Sequence, residues 1–271
     1  MLRANYLRVF LTFARNSLVR NMTFRANFII ECISSICWMT MSLVLYVLIY
    51  HFKNDVAGWG RYQFFVFYAT MLFINSLVEA FFMPNAEEFS ELVRTGGLDF
   101  ALLKPIDTQF LISLTKVDWS SFSNFLFACG LLWYSLAKLD YTPTLWEVAL
   151  YPVYVLCGVL ILYSLMIMLA ATSVWLGRNQ TLYDFWFYIT NFSRYPMEIY
   201  TGPFGTPLRM FFTFFIPVLV VVNVPARLMA APMQAMYWYL ALFAVGATAA
   251  SMAASRWMFL RSLEAYRSAS S

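Results

Sequence analysis

The sequence predicts an all-α integral membrane protein with six transmembrane helices, folded as one domain over residues 1–271. Three observations predict it. First, 62% of the residues are hydrophobic and only 12% charged, with mean hydropathy +0.66, whereas a soluble domain carries about 25% charged residues. Second, the apolar residues are gathered into runs long enough to cross a bilayer core, which takes roughly 20 helical residues. Third, Tyr and Trp cluster at the ends of those runs, at Tyr50, Trp59, Tyr62, Trp119, Trp146, Trp175 and Tyr237–Trp238–Tyr239, where an interfacial belt belongs.

The chain begins with an amphipathic segment, 1–25. On a helical wheel Leu2, Tyr6, Val9, Phe10 and Phe13 share one face, with Arg8 and Arg15 on the other. Such a helix lies on a membrane surface with its arginines toward the headgroups. Five full-length apolar runs follow, near 27–50, 62–83, 119–138, 148–176 and 235–257. The first run starts too far along the chain, and is too long, for a cleavable signal.

Between the last two runs the chain is apolar but broken by Pro196, Pro203, Pro207, Pro217, Pro225 and Pro232. Arg3, Arg8, Arg15, Arg20 and Arg25 precede the first span, and Arg256, Arg261 and Arg267 close the last. Both termini are therefore expected in the cytoplasm, which requires an even number of spans. Either 182–201 or 206–224 can supply the missing crossing, but not both, and the charges do not choose between them. The segment that does not cross must dip into the outer leaflet and return, with Pro217 as its bend if that segment is 206–224.

The chemistry-bearing residues are few. Cys32, Cys37, Cys129 and Cys157 all lie in apolar runs without a CxxC, and His51 is the sole histidine. The sequence has no HExxH, no GxSxG and no GxxxxGK[ST], so hydrolysis and nucleotide binding by this chain are not expected. No catalytic or metal-binding residue is assigned. Glu31 and Glu79 fall toward the cytoplasmic ends of the first two spans, with Asn75 and Asn124 as the deeper polar groups. Arg194 and Glu198 are four residues apart and could pair along one helix face. These four, Asn75, Asn124, Arg194 and Glu198, are the candidates for a polar substrate path.

One compact polar segment interrupts this pattern in the cytoplasmic loop 84–118. Phe89, Leu92 and Val93 recur at helical spacing beside Glu87, Glu88, Glu91 and Arg94. Gly96–Gly97 can end that helix with a left-handed cap. Leu98, Leu102 and Leu103 then give a second apolar face around Asp99, which Pro105 terminates. A helix, a tight turn and another short helix make a docking knob beneath the membrane.

The stretch "ELVRTGGLDFALLKPID" (91–107) resembles the E-x-x-x-G-T-L-E-x-L-L-x-x-P pattern of permeases of the second type of ATP-binding-cassette exporter. It departs by Gly97 for Thr and Asp99 for Glu, as in the short six-span branch whose loop reads much like "GGLDxxLLKP". "SRYPMEIY" (193–200) and 208–229 are similar to that family's S-P-x-x-Y-P and L-x-x-L-N-P-L elements, with Ile216–Pro217 in place of Asn-Pro. The resemblance favours 182–201 as the fifth span and 203–232 as a re-entrant outer segment.

It also implies an elbow helix at 1–25 and a coupling surface formed by Glu87, Glu88, Glu91, Arg94, Gly96, Gly97, Leu98 and Asp99. A smaller contact is implied at "LGRNQTLYD" (176–184), which contains Arg178. By the same resemblance the chain is a non-catalytic exporter subunit in a bacterial inner membrane. It would bind no cofactor itself and would work with two ATPase subunits that hold ATP and Mg. A second permease, identical or related, would complete the pathway, with the lipid bilayer and no nucleic acid as further surroundings. An ATP-independent secondary transporter or channel is the alternative.

Overall fold

The computed structural model describes residues 5–176, 187–233 and 235–266. The chain opens with α1 (Tyr6–Thr23), N-capped by Asn5, whose side chain accepts from Arg8 N at 3.1 Å. Part of the face expected to meet the membrane meets protein instead, while Leu2 lies outside the described residues. Tyr6 packs edge-on to Phe110 and Phe10 lies near Phe81. The Ala14 carbonyl accepts from Trp119 Nε1, and buried Ser17 Oγ accepts from Val117 N. Leu7, Leu11, Leu18 and Val19 form a separate exposed apolar surface. The helical wheel located an apolar face correctly, but α1 has apolar residues on two sides.

Helix α2 (Arg25–Phe52) leaves most of its surface exposed, which suits a lipid-facing span. Its attached face carries Met39, Tyr46 and Tyr50; the Tyr46 ring lies against Phe64 and Tyr68. A two-residue ribbon follows, β1 (Asp55–Val56) antiparallel to β2 (Trp59–Gly60). Its turn residues Ala57 and Gly58 both have positive φ, the geometry that matches strand twist in the tightest hairpins. The ribbon turns Trp59 inward to full burial, and Tyr50 donates to its carbonyl at 2.8 Å.

Helix α3 (Arg61–Phe81) is buried along nearly its whole length. It breaks at Phe82 and resumes as α4 (Met83–Thr95), with Pro84 in the first turn, where a missing N–H costs nothing. The short helix α5 (Leu98–Leu102) gives the expected second arm of the knob, and a further helix not foreseen in the sequence, α6 (Thr108–Leu114), follows it. Asp118 then caps the turn into α7 (Phe122–Lys138), accepting from Ser120 N, Ser120 Oγ and Ser121 Oγ. That turn takes residues 119–121 out of the expected third span, and α7 has 17 residues.

Helix α8 (Leu145–Ala171) starts at a capping box between Thr144 and Glu147 and is extended by α9 (Ser173–Leu176). Residues 187–191 are helical and lead into 3₁₀ turns at Phe192–Arg194 and Met197–Ile199. The latter part of the expected span 182–201 is therefore not one helix; residues 182–186 lie outside the described residues. Pro196 is the reason, because it holds Tyr195 extended at φ −124° and ψ 146°.

Helix α10 (Gly202–Met210) continues through a π turn, Phe211–Phe215, to a break at Ile216–Pro217. Helix α11 (Val218–Ala230) leaves that break at 87° to the preceding arm. The expected bend at Pro217 is thus present. The last helix, α12, runs Ala235–Ala265.

Buried α3, α8 and α11 form the interior, with α7, α12 and α2 around them. These helices approach closely at Gly158 of α8. A Cβ there would meet Val221 Cγ1 and the Val221 carbonyl at 3.0 Å, and Ile74 Cδ1 at 3.1 Å. Among the described residues four helices are long and apolar enough to cross a membrane, and the bent pair would make a fifth only if its two arms formed one span. The knob sits at one end of this bundle; the ribbon and the bent arm sit at the other.

Candidate functional site

The knob is a rigidly mounted projection. Helix α4 buries Asn85, Ala86, Phe89 and Val93, and Phe89 lies against Phe259 of α12 with ring centres 5.9 Å apart. Asn85 is 2% exposed and clamps the returning chain. Its Oδ1 accepts from Lys116 N at 2.8 Å, and its Nδ2 donates to the carbonyls of Lys116 and Phe81. Glu88 pairs with Lys116 Nζ at 2.8 Å. A buried amide with these partners meets the usual requirement for satisfied polar groups and fixes the two ends of the knob together.

Gly96 caps α4 in the left-handed region, φ 74°, as expected. Gly97 does not need glycine for its backbone, which is right-handed helical. A Cβ at Gly97 would instead approach Leu92 Cδ2 at 2.9 Å. The second glycine therefore lets the two arms of the knob close on each other.

The expected coupling residues divide between mounting and surface. Glu87, Glu91 and Arg94 are exposed. Arg94 hydrogen-bonds both carboxylate oxygens of Glu91, which holds that carboxyl below the usual range and raises the guanidinium. Asp99 is half-buried in the first turn of α5. Leu98 is fully buried and belongs to the core. It does not share an outer face with Leu102 and Leu103, because α5 turns Leu98 and Ala101 inward. The outer apolar surface is Phe100, Leu102 and Leu103, exposed by 74%, 40% and 82%. Phe100 was absent from the sequence-based set, although an aromatic beside Leu-Leu in a polar loop was its visible signal. Arg178, the expected second contact, lies outside the described residues.

The four candidates for a polar substrate path do not converge. Asn75 is half-buried on α3. Asn124 is a joint between helices, accepting from Ser35 Oγ at 2.8 Å and reaching Glu79 at 3.5 Å. An open groove of about 820 Å³ runs beside this joint, lined by Arg20, Glu31, Trp38, Glu79, Glu87 and Asp118 among others. Several of its carboxylates serve the fold, since Glu31 accepts from Asn27 and Asp118 caps the entry to α7.

Glu198 lies at the opposite end, and the expected pairing with Arg194 is corrected. Its carboxylate receives Arg227 Nη2 at 3.0 Å, the Tyr237 hydroxyl at 2.8 Å and Trp59 Nε1 at 2.9 Å. The Arg227 guanidinium also stacks 4.0 Å from the Trp59 ring centre, while Arg194 lies over Phe187. The break at Pro196 takes Arg194 and Glu198 off a common helix face, so the i to i+4 argument does not apply. Trp59, Arg227 and Tyr237 were not in the sequence-based site. Arg227 in the apolar run 218–230 was the clue, because a charge there needs a partner.

These features define a multi-pass α-helical membrane protein with a protruding helix–turn–helix at one end of its bundle. A family model described as ABC-2 family transporter protein matches residues 36–270. The chain belongs to that family, and is thus a permease component of an ATP-binding-cassette transporter, a membrane component of a class that associates with ATP-binding subunits. No curated protein and no solved structure matches it.

Proposed function

We propose that the chain is the non-catalytic permease of an exporter, driven by ATP that is hydrolysed on separate subunits. The observation that carries this reading is the exposed Phe100–Leu102–Leu103 surface on a knob whose other side is locked into the bundle. Large apolar side chains at the aqueous end of a membrane protein are suited to a protein partner. Burial of Leu98 and the Asn85 clamp give that surface a firm base, so force applied to it reaches the helices rather than bending a loop.

In this reading the knob enters a cleft on an ATPase subunit, with Glu87, Glu91 and Arg94 at the polar rim. ATP and Mg are held by that partner, and segment 176–184 with Arg178 adds a smaller contact. Two permeases, identical or related, work with two ATPases. Six spans would leave both termini in the cytoplasm of a bacterial cell, with 182–201, broken ahead of Pro196, completing the fifth crossing and 203–232 re-entering from the outer side. The 87° bend at Ile216–Pro217 supports the re-entrant arm.

The test is reconstitution in lipid vesicles. An ATPase should co-purify with the chain, and its hydrolysis should change on assembly. Substitution of Phe100 and Leu103 by Ser should abolish both effects while the permease remains folded. Transport under an ion gradient without nucleotide, and no ATPase association, would overturn the proposal in favour of a secondary transporter.

A further inference from the structure

At the base of the knob a line of hydrogen bonds joins three elements that are far apart in sequence. Asp107 caps α6, its Oδ1 accepting from Phe110 N at 3.0 Å. The same carboxylate receives both ends of the Arg256 guanidinium from α12, Nη1 to Oδ1 at 3.1 Å and Nη2 to Oδ2 at 2.6 Å. Arg256 Nη1 also donates to Gln109 Oε1 at 3.0 Å. Gln109 Nε2 donates to the Tyr163 hydroxyl of α8 at 3.1 Å, and that hydroxyl lies 2.9 Å from Ser113 Oγ. The Tyr163 ring packs on Phe82, at the break between α3 and α4, with centres 4.4 Å apart.

Gln109, Ser113 and Tyr163 are buried. Buried polar groups are costly when unpaired. If α6 moved and left α8 or α12 behind, the Tyr163 hydroxyl, the Gln109 amide and the Asp107 carboxylate would lose partners together. Apolar contacts such as Phe89 on Phe259 are less directional and tolerate small slips. A bidentate carboxylate–guanidinium pair does not, because both of its bonds depend on one planar alignment.

We propose that Asp107, Gln109, Tyr163 and Arg256 are positioning residues that pass displacement of the knob to α8 and α12. This rests on the docking reading above, since a partner must supply the displacement. The four residues form a linkage and do not contact the partner. They link the end of the knob segment to two long helices that run to the opposite end of the bundle.

Two measurements test this. The first uses the purified chain alone, comparing thermal unfolding of Asp107→Asn, Tyr163→Phe and the double variant. The introduced asparagine can still cap α6, and the introduced phenylalanine ring can still pack on Phe82. Each change thus removes charge or hydroxyl with little loss of packing. The linkage predicts that the two effects are not additive; additivity would overturn it whatever the partner does.

The second uses the assembled complex in vesicles, with spin labels at Trp146 and Tyr239, exposed positions near the start of α8 and α12. Cys32, Cys37, Cys129 and Cys157 are replaced beforehand. ATP with vanadate should change the distance between the labels in the parent chain. In Asp107→Asn and Tyr163→Phe the bound ATPase should remain, but the ratio of shifted to unshifted molecules should fall about threefold or more, the size of coupling change that mutations along such networks produce. The exchange D107R with R256D should restore part of it. Unchanged movement in both variants would overturn the linkage and leave docking intact. A parent chain that captures no ATPase would overturn the docking reading itself.

Discussion

Glu198 takes its ion pair from Arg227, 29 residues further along the chain, with Arg227 Nη2 3.0 Å from Glu198 Oε1. The pair joins a 3₁₀ turn to α11, while Trp59 and Tyr237 bring in the ribbon and α12. Its side chains are only 12% and 20% exposed. Removing one member of such a pair leaves the other charged and desolvated, which costs about 3–5 kcal/mol. Arg227→Met should therefore lower the thermal midpoint of the purified protein sharply, and Arg194→Met should not. Equal effects would show that the pair at 3.0 Å does not dominate this end of the fold.

Within the knob, stability and docking should separate by residue. Leu98→Ala removes a fully buried side chain and should cost about 2–5 kcal/mol. Phe100→Ser and Leu103→Ser alter exposed positions and should leave the stability within about 0.5 kcal/mol of the parent. Coupling to an ATPase should show the reverse order, with the two surface changes most harmful per unit of lost stability. Thermal unfolding and ATPase assays on the same preparations check this.

Three glycines should respond differently to alanine. Gly158→Ala places a methyl against the Val221 carbonyl and Ile74 and should cost about 1–3 kcal/mol through overpacking. Gly96→Ala forces an L-residue into the left-handed region, at about 1–2 kcal/mol. Gly97→Ala is crowded only by the end of the Leu92 side chain, which can rotate away, its other neighbours being at ordinary contact distance, so it should be the mildest of the three. Chemical or thermal unfolding in detergent ranks them, and a Gly97 variant as damaging as Gly158→Ala would contradict this geometry.

Asp107 should give the protein an acid-sensitive joint. Burial acts to raise its carboxyl, but the Arg256 hydrogen bonds and charge, with the backbone N–H groups of Phe110 and Gln109, bring it below the ordinary range. A depressed folded value means the stabilisation is fully present above the unfolded value, about 3.9. It is lost as pH falls through the folded value. Solvent screens the pair, whose side chains are 44% and 33% exposed, so the effect should be modest. The difference in unfolding midpoint between the parent and Asp107→Asn should shrink as pH falls from about 7 toward about 3. A constant difference would remove the charge as its cause.

Much of the fold was legible because bilayer crossing and helix capping are local demands. The first span, expected at 27–50, is part of α2 at Arg25–Phe52, and Gly96 caps α4 as its sequence suggested. Pro217 marked the bend between the two apolar arms. The candidate site was less legible. Helical spacing alone placed Leu98 with Leu102 and Leu103, yet a five-residue helix has too few turns for spacing to say which side meets a neighbour. The Arg194–Glu198 pairing failed for a related reason: periodicity holds only while the helix continues, and Pro196 stops it.

By itself the sequence determined the membrane class, most helix positions and the helix–turn–helix form of the knob. Composition, run length and glycine or proline chemistry act over a few residues and need no distant partner. The tertiary structure alone decided that Leu98 anchors while Phe100 projects, that Glu198 pairs with Arg227, and that Arg256 meets Asp107. Those outcomes depend on which faces pack together. A desolvated charge or hydroxyl takes whatever partner the packed bundle brings within hydrogen-bond reach, however far away it lies in the chain.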